Sequence, residues 1–300
     1  MDVKKYSGVY PAVITPFTAE GEVDVAKLTN YITYLCKNVD GLFVGGSYGS
    51  GPIMTVAQRK VVAEVTMAAV KAERPDMPVI VHVGCTNLSD TIELAQHAES
   101  VGVGAVAAVT PFYYRHTPNV IKAYYKDLID SVSIPVILYN NPKYSNFSVS
   151  GDLLAELAEL GLQGVKDSSA DIALFYDYMA KVKKEGFLFL IGSQTHLLPA
   201  VVAGAHGCVS GLSNAFPAFI KEFYEDCKAG KFAEARELQL KANLLRSVTG
   251  AGIPVPFYHA VLPMLGIDLG TPRRPFLPLE AAEVERIRKA LEETKMLING

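Results

Sequence analysis

The chain lacks any paired-cysteine pattern. Its four cysteines, Cys36, Cys85, Cys208 and Cys227, are spread over 300 residues with no C-x-x-C. That spacing argues against a disulfide framework or a zinc ribbon. The thiols read as reduced and mostly buried, as in a cytoplasmic protein. The six histidines show no H-E-x-x-H or similar metal spacing, so no zinc, no other metal and no cofactor is expected. Charge of one sign is missing too. A net charge of −3 gives no electrostatic case for nucleic acid or an anionic membrane as partner. No apolar run approaches the length that crosses a bilayer. Met1 to Tyr6 carry none of the apolar stretch of a secretory signal. No low-complexity segment appears, and no Ser/Gly-rich linker separates one part from another.

What is present is a regular alternation. Eight short apolar runs, rich in Val, Ile, Leu or Phe, read as strands: Val9 to Ile14, Gly41 to Val44, Pro78 to Val83, Ala105 to Val109, Pro135 to Tyr139, Gly161 to Val165, Phe187 to Ile191 and Gly207 to Ser210. Between them lie amphipathic helical patterns, including Ala26 to Asn38, Thr55 to Ala72, Leu88 to Val101, Val120 to Val132 and Leu153 to Leu160. The strand-to-strand repeat of about 25 to 35 residues is that of βα units. Continuous apolar runs suit parallel strands buried on both faces. Eight such units predict an α/β fold, a (β/α)8 TIM barrel. An open doubly wound sheet is the alternative, but it usually opens on G-x-G-x-x-G, and here the first strand leads into Thr15-Pro16-Phe17. After Ser210 the patterns are helical: Pro217 to Cys227, Phe232 to Ser247, Pro256 to Leu265 and Glu280 to Thr294. The expected organisation is a catalytic barrel over residues 1–228 and a C-terminal helical appendage over 229–300, packed on it.

In such a barrel, chemistry collects at the C-terminal ends of the strands. Lys166 stands at one of them, in Gly164-Val165-Lys166-Asp167. A lysine buried there loses hydration and its amine pKa falls. A neutral amine attacks ketones and forms a Schiff base. The plain alternative is a structural ion pair, with Asp167 as the neighbour to hand. The second strand ends in Gly45-Gly46-Ser47-Tyr48-Gly49-Ser50-Gly51. Successive amides there can cradle a small carboxylate, or the glycines can serve the backbone alone. No Lys-Ser/Thr follows, so this is not a nucleotide loop. Tyr113 and Tyr139 each close a strand. Either can simply pack, but on one rim with Ser47 and Lys166 they suggest a proton relay. The turns holding Tyr144, Gln194, and Ser210 with Gly211 complete the rim. Ser193 and Thr195 can equally cap the next helix.

Six pieces in this order resemble the dihydrodipicolinate synthase/N-acetylneuraminate lyase family: Thr15-Pro16-Phe17, Gly46-Ser47-Tyr48-Gly49, Thr110-Pro111-Phe112-Tyr113, Leu138-Tyr139-Asn140, Gly164-Val165-Lys166-Asp167 and Gly204-Ala205-His206-Gly207. The resemblance implies a class I, metal-free pyruvate lyase or aldolase. It makes Lys166 the Schiff-base lysine and Tyr139 the proton shuttle at the substrate oxygen. It makes Ser47 the link to a second tyrosine, Tyr113, which serves the neighbouring subunit. The amides of Ser47 and Tyr48, beside Gly46, would hold the pyruvate carboxylate. It also implies a homotetramer, a dimer of dimers.

The departures bear on substrate. A phenol, Tyr48, replaces a small hydroxyl, and Ser50 stands where a glutamate is usual. Tyr144 stands where synthases place an arginine for the carboxylate of aspartate semialdehyde, and a phenol offers no bidentate pairing. Phe112 and the apolar Gly51-Pro52-Ile53-Met54 predict no lysine feedback site. Gly192 to His196 is polar but uncharged, unlike the acidic stretch of sialic acid lyases. The expected partner of pyruvate is therefore a hydroxylated or aromatic aldehyde, as in 2-keto-3-deoxy sugar acid aldolases, which Gln194, Thr195 and His196 could hydrogen-bond, with Tyr144, Ser210 and Gly211 also lining the substrate site. The alternatives are dihydrodipicolinate synthase itself, a 2-keto-3-deoxy acid dehydratase, or a barrel that senses a 2-oxo acid without turnover.

Overall fold

The computed structural model describes residues 1–249 and 254–297. The seven others fall within the expected appendage and lie outside the described residues. The elements run β1 (Gly8–Pro11), α1 (Val25–Asn38), β2 (Leu42–Val44), α2 (Val56–Glu73), β3 (Val79–His82), α3 (Leu88–Ser100), β4 (Ala105–Val109), α4 (Pro118–Asp130), β5 (Val136–Asn140), α5 (Pro142–Ser145), α6 (Gly151–Glu159), β6 (Gly164–Asp167), α7 (Ile172–Lys181), β7 (Leu188–Ile191), α8 (Leu197–Val202), β8 (Gly207–Ser210), α9 (Pro217–Lys228), α10 (Phe232–Val248), α11 (Val255–Met264) and α12 (Ala281–Glu293).

All strand pairs are parallel, in the order β1-β8-β7-β6-β5-β4-β3-β2. The last gap is closed where β1 runs out. Ala12 bridges Phe43, and the Val13 N–H donates to the Phe43 carbonyl at 2.9 Å. The result is a (β/α)8 barrel with extra C-terminal helices, as the alternation predicts. Every strand residue is buried, because alternate side chains serve two cores. One set, including Tyr10, Phe43, Ile80, Ile137, Leu190 and Val209, fills the barrel. The other meets the helices outside.

The helices start where their caps allow. Thr55 and Gln58 form a reciprocal capping box ahead of α2, and the Asp24 and Ser150 side chains cap α1 and α6. The sixth strand is shifted from its expected place, Gly161 to Val165. Gly161 has φ +117 and turns the chain out of α6, and the Leu162 N–H still bonds the Leu157 carbonyl at 3.0 Å. Leu162 is buried from a turn, which mimics a strand residue in sequence. Lys166 is thus inside β6 rather than just past it. Among the described residues, no helix is long and apolar enough to cross a membrane.

Candidate active site

The centre of the site is two rungs of the β5–β6 ladder. Tyr139 pairs with Lys166, and Asn140 pairs with Asp167. Alternation along a strand sends the two pairs to opposite faces. Outside, Asn140 Nδ2 donates to Asp167 Oδ1 at 2.7 Å, Ser169 Oγ donates to Asp167 Oδ2 at 2.7 Å, and the Val149 N–H donates to Asn140 Oδ1 at 3.2 Å. Burial raises the Asp167 pKa, and the Asn140 and Ser169 hydrogen bonds pull it back. Asp167 is committed to this outer cluster, so it forms no ion pair with Lys166.

Lys166 points into the barrel and is 3% exposed. Its Nζ lies 3.8 Å from the ring centroids of both Phe43 and Tyr139. Two aromatic faces favour the charged amine by about 2 kcal/mol or more when desolvated. Burial without a counter-charge opposes this and wins: the pKa falls from 10.5 to about 7. Tyr139 is also buried, and burial raises its phenol pKa, with hydrogen bonds from Ser47, Ser168 and Asn141 acting in the opposite sense. Near pH 7 a substantial share of the amine is therefore uncharged while the phenol keeps its proton, an amine able to attack beside a phenol able to donate.

Asn141 Nδ2 donates to Tyr139 Oη at 2.9 Å, which leaves the phenolic proton facing Ser47 Oγ at 3.5 Å. That distance is long for a hydroxyl pair and is of the kind that tightens on a bound substrate. His82 packs edge-on to the Tyr139 ring with centroids 5.7 Å apart. The Val109 N–H donates to His82 Nε2 at 3.2 Å, so Nδ1 carries the proton and donates to the Gly45 carbonyl at 3.2 Å. Burial, then Arg59 and Lys166, hold the His82 pKa well below its usual value. Arg59, itself buried, anchors this layer through the carbonyls of His82 (2.6 Å) and Gly84 (3.0 Å).

The glycine loop shows the backbone need weighed for it. Gly45 has φ +69, and a Cβ on Gly51 would lie 1.9 Å from the Gly45 carbonyl oxygen. These glycines are required by the backbone. The same fold leaves the N–H groups of Ser47 and Tyr48 uncommitted to hydrogen bonds among the described residues. Tyr48 lies over Gly211, where a Cβ would meet its ring at 2.7 Å and the Tyr258 hydroxyl at 2.9 Å. The glycine makes room for the phenol.

A cavity of about 610 Å³ opens onto Lys166 and is lined by Ser47, Tyr48, Tyr139, Tyr144, Gln194 and Gly211, among others. A smaller lobe of about 160 Å³ shares Ser47, Tyr139, Asn141 and Tyr144, and is walled by Pro52, Ile53, Val109, Phe112 and Phe276. Three expected residues stand elsewhere. Gly46 lines neither cavity; its carbonyl accepts the Gly51 N–H at 3.1 Å. Ser210 is fully buried behind the wall and donates to Gln194 Oε1 at 3.0 Å, so it positions Gln194. Tyr113 reaches neither cavity. It is 78% exposed, packs edge-on to Tyr114, and has φ +86, a strained conformation for a non-glycine residue. Ser193 Oγ accepts from the Thr195 N–H at 3.3 Å, the capping role weighed for it.

Sequence reading missed His82, Asn141 and Arg246. The first had a signal, a lone polar residue closing the apolar run Val79–His82. Asn141 follows Tyr139 by two residues and carried a weaker one. Arg246 had none, because it enters the larger cavity from α10, outside the barrel.

A (β/α)8 barrel holding a partnerless, near-neutral lysine inside its mouth is the frame of a class I, Schiff-base lyase. The chain belongs to the Dihydrodipicolinate synthetase family, whose model matches residues 5–294, a family of class I lyases and aldolases acting with pyruvate. It is 32% identical to 4-hydroxy-tetrahydrodipicolinate synthase of Afipia carboxidovorans, over 98% of each chain. It is 31% identical to N-acetylneuraminate lyase of Clostridium perfringens, over 96% of this chain and 98% of that one. Its fold superposes with a TM-score of 0.92 on YagE, a prophage protein of the family from E. coli K12 in complex with pyruvate, at 27% identity over 97% of this chain and 99% of that one. Synthase and lyase relatives are equally distant, so overall identity does not choose between their substrates.

Proposed function

We propose that this enzyme cleaves or forms a 2-keto-3-deoxy sugar acid, with pyruvate on one side of the reaction and an aldehyde on the other. The observation that carries the reading is Lys166, buried with no anionic partner, its amine near neutral pKa and in contact with Tyr139. The Lys166 Nζ lone pair attacks the ketone carbon of the 2-oxo acid. One amine proton passes to the ketone oxygen as the carbinolamine forms, the Tyr139 phenol gives that oxygen a second, and water leaves as the iminium forms. The iminium accepts the electron pair released when the carbon–carbon bond breaks, which gives the enamine and the aldehyde. Tyr139 takes back the aldol proton, with Ser47 beside it and Asn141 fixing the phenol. The Ser47 and Tyr48 amides suit the carboxylate.

The exposed, strained Tyr113 supports a role beyond its own protomer, completing the relay of a neighbour in a dimer of dimers. The four free thiols suit a cytoplasmic setting, and the division near residue 228 is retained as the boundary of the catalytic barrel. Incubation with pyruvate and sodium borohydride, followed by intact mass and peptide mapping, tests the reading. A single adduct on Lys166 is expected; its absence would overturn the proposal. The synthase activity is the second reading, because Arg246 brings to the cavity a guanidinium that Tyr144 does not. Rescue of a diaminopimelate auxotroph would favour it.

A further inference from the structure

We propose that His82 is a positioning residue that sets the carboxylate-holding loop in register with the Tyr139 phenol. The inference rests on the pyruvate-aldolase reading and adds to that site a residue that works through others.

His82 is the last residue of β3 and pairs with Ala107 of β4. Its side chain is buried and lines the smaller lobe. The β3–β4 pairing ends just beyond it, where the Val83 N–H donates to the Ala107 carbonyl at 2.7 Å. Gly84 follows, and its missing side chain admits the imidazole. A Cβ there would lie 3.1 Å from His82 Nε2 and 2.9 Å from the Val109 nitrogen. The ring takes the Val109 N–H in place of a further ladder bond.

The other ring nitrogen donates to the Gly45 carbonyl. No main-chain N–H among the described residues takes that carbonyl. Gly45 lies just past β2 at φ +69 and opens the loop whose Ser47 and Tyr48 amides suit the pyruvate carboxylate. The orientation of its peptide decides where those two N–H groups point. The same imidazole stands at 88° to the Tyr139 ring, and Phe43 meets that ring at 77°, each with centroids 5.7 Å apart. One side chain thus holds the loop, the end of β4 and the phenol that carries the proton. Such placement matters to rate, because a small misalignment of reacting groups is costly.

Neither nitrogen is free for acid–base work, since both are bonded to main chain. The neutral ring makes both bonds; an imidazolium would lose the acceptor that Val109 uses. Burial, with Arg59 and Lys166 nearby, keeps the ring neutral. Arg59 Nη2 comes within 3.3 Å of Nδ1, but its short bond, 2.6 Å, goes to the His82 carbonyl. The arginine therefore fixes the main chain from which the ring projects. An apolar side chain would fill the same space; bonds to two separate elements are what the histidine adds.

Three substitutions separate these duties. Asparagine puts an N–H where Nδ1 stands, glutamine puts an acceptor where Nε2 stands, and phenylalanine keeps a ring without either bond. The intact enzyme is given pyruvate in D2O. Exchange of the methyl protons, followed by NMR, yields kcat and KM with no aldehyde present. His82→Phe should raise KM about 3- to 10-fold, the range for one neutral hydrogen bond, while kcat holds. His82→Asn should do the reverse, keeping KM and lowering kcat about 3- to 10-fold, the range for an aromatic pair. His82→Gln should show both losses. A merely structural histidine would give variants of lower stability in urea with KM and kcat unmoved or scaled together, and that result would overturn the proposal. Should His82→Phe fail to fold, the other two decide, because only asparagine restores the bond to Gly45: equal KM values in His82→Asn and His82→Gln would also overturn it. If wild type neither exchanges nor leaves a borohydride adduct, the aldolase reading falls and this inference with it; exchange in wild type without the split leaves the aldolase reading standing alone.

Discussion

Replacing Lys166 by methionine keeps a long unbranched stem and removes the amine. The expected result is an inactive protein that is more stable than wild type at neutral pH. The ordinary lysine value is 10.5, and burial lowers it to about 7 in the folded chain. Between those values the unfolded chain holds a proton that the folded chain has released. The penalty from this group is full below pH 7 and fades as pH rises toward 10.5. Linkage puts it at about 4 kcal/mol at pH 7 and about 2 kcal/mol at pH 9. Lys166→Met should exceed wild-type stability by those amounts, so its advantage should shrink by about half across the interval. Urea unfolding of both proteins at one protein concentration, at pH 7, 8 and 9, measures this directly. Burial also raises the thiol pKa values of Cys36 and Cys227, but both proteins share them and they cancel in the difference. An advantage that stays constant with pH, or a variant less stable than wild type, would refute the account of Lys166 as a desolvated, unpaired amine.

Three further outcomes follow from the geometry. Tyr139→Phe should slow turnover about 10²- to 10⁴-fold while borohydride still traps pyruvate on Lys166; turnover near wild type would remove Tyr139 from the relay. Gly211→Ala should lower activity because its Cβ meets the Tyr48 ring, and adding Tyr48→Thr should relieve that loss; steady-state kinetics of the double variant, unimproved, would show that the contact is unimportant. Mixed oligomers of Lys166→Ala and Tyr113→Phe protomers should regain activity that neither variant has alone, measured after co-refolding, if Tyr113 completes a neighbour's site.

The barrel was legible because its signals are local. Short apolar runs, turns and helix caps repeat along the chain, and each element is specified within its own segment. Lys166 was legible for a similar reason, a cation in an apolar run. Its lack of a partner was not, because Asp167 is adjacent in sequence and only strand alternation sends it to the other face. The shifted start of β6 shows the limit of composition: Leu162 is as buried in a turn as it would be in a strand. Arg246 shows a different limit. It comes to line the cavity of Lys166 only after the chain has wound through β7, β8 and α9, and no spacing rule connects the two.

The β5–β6 ladder has a consequence for how this site can change. Its two adjacent rungs face opposite ways, a phenol and an amine toward the cavity on one and a hydrogen-bonded amide and carboxylate outward on the next. A shift of one residue in either strand exchanges them, and there is no intermediate register in which both work. Insertions and substitutions in the surrounding loops face no such rule. New substrates are therefore reached by remodelling the connections after the strands and the appendage, where Tyr48, Tyr144 and Arg246 lie, while the ladder can only be kept whole or lost.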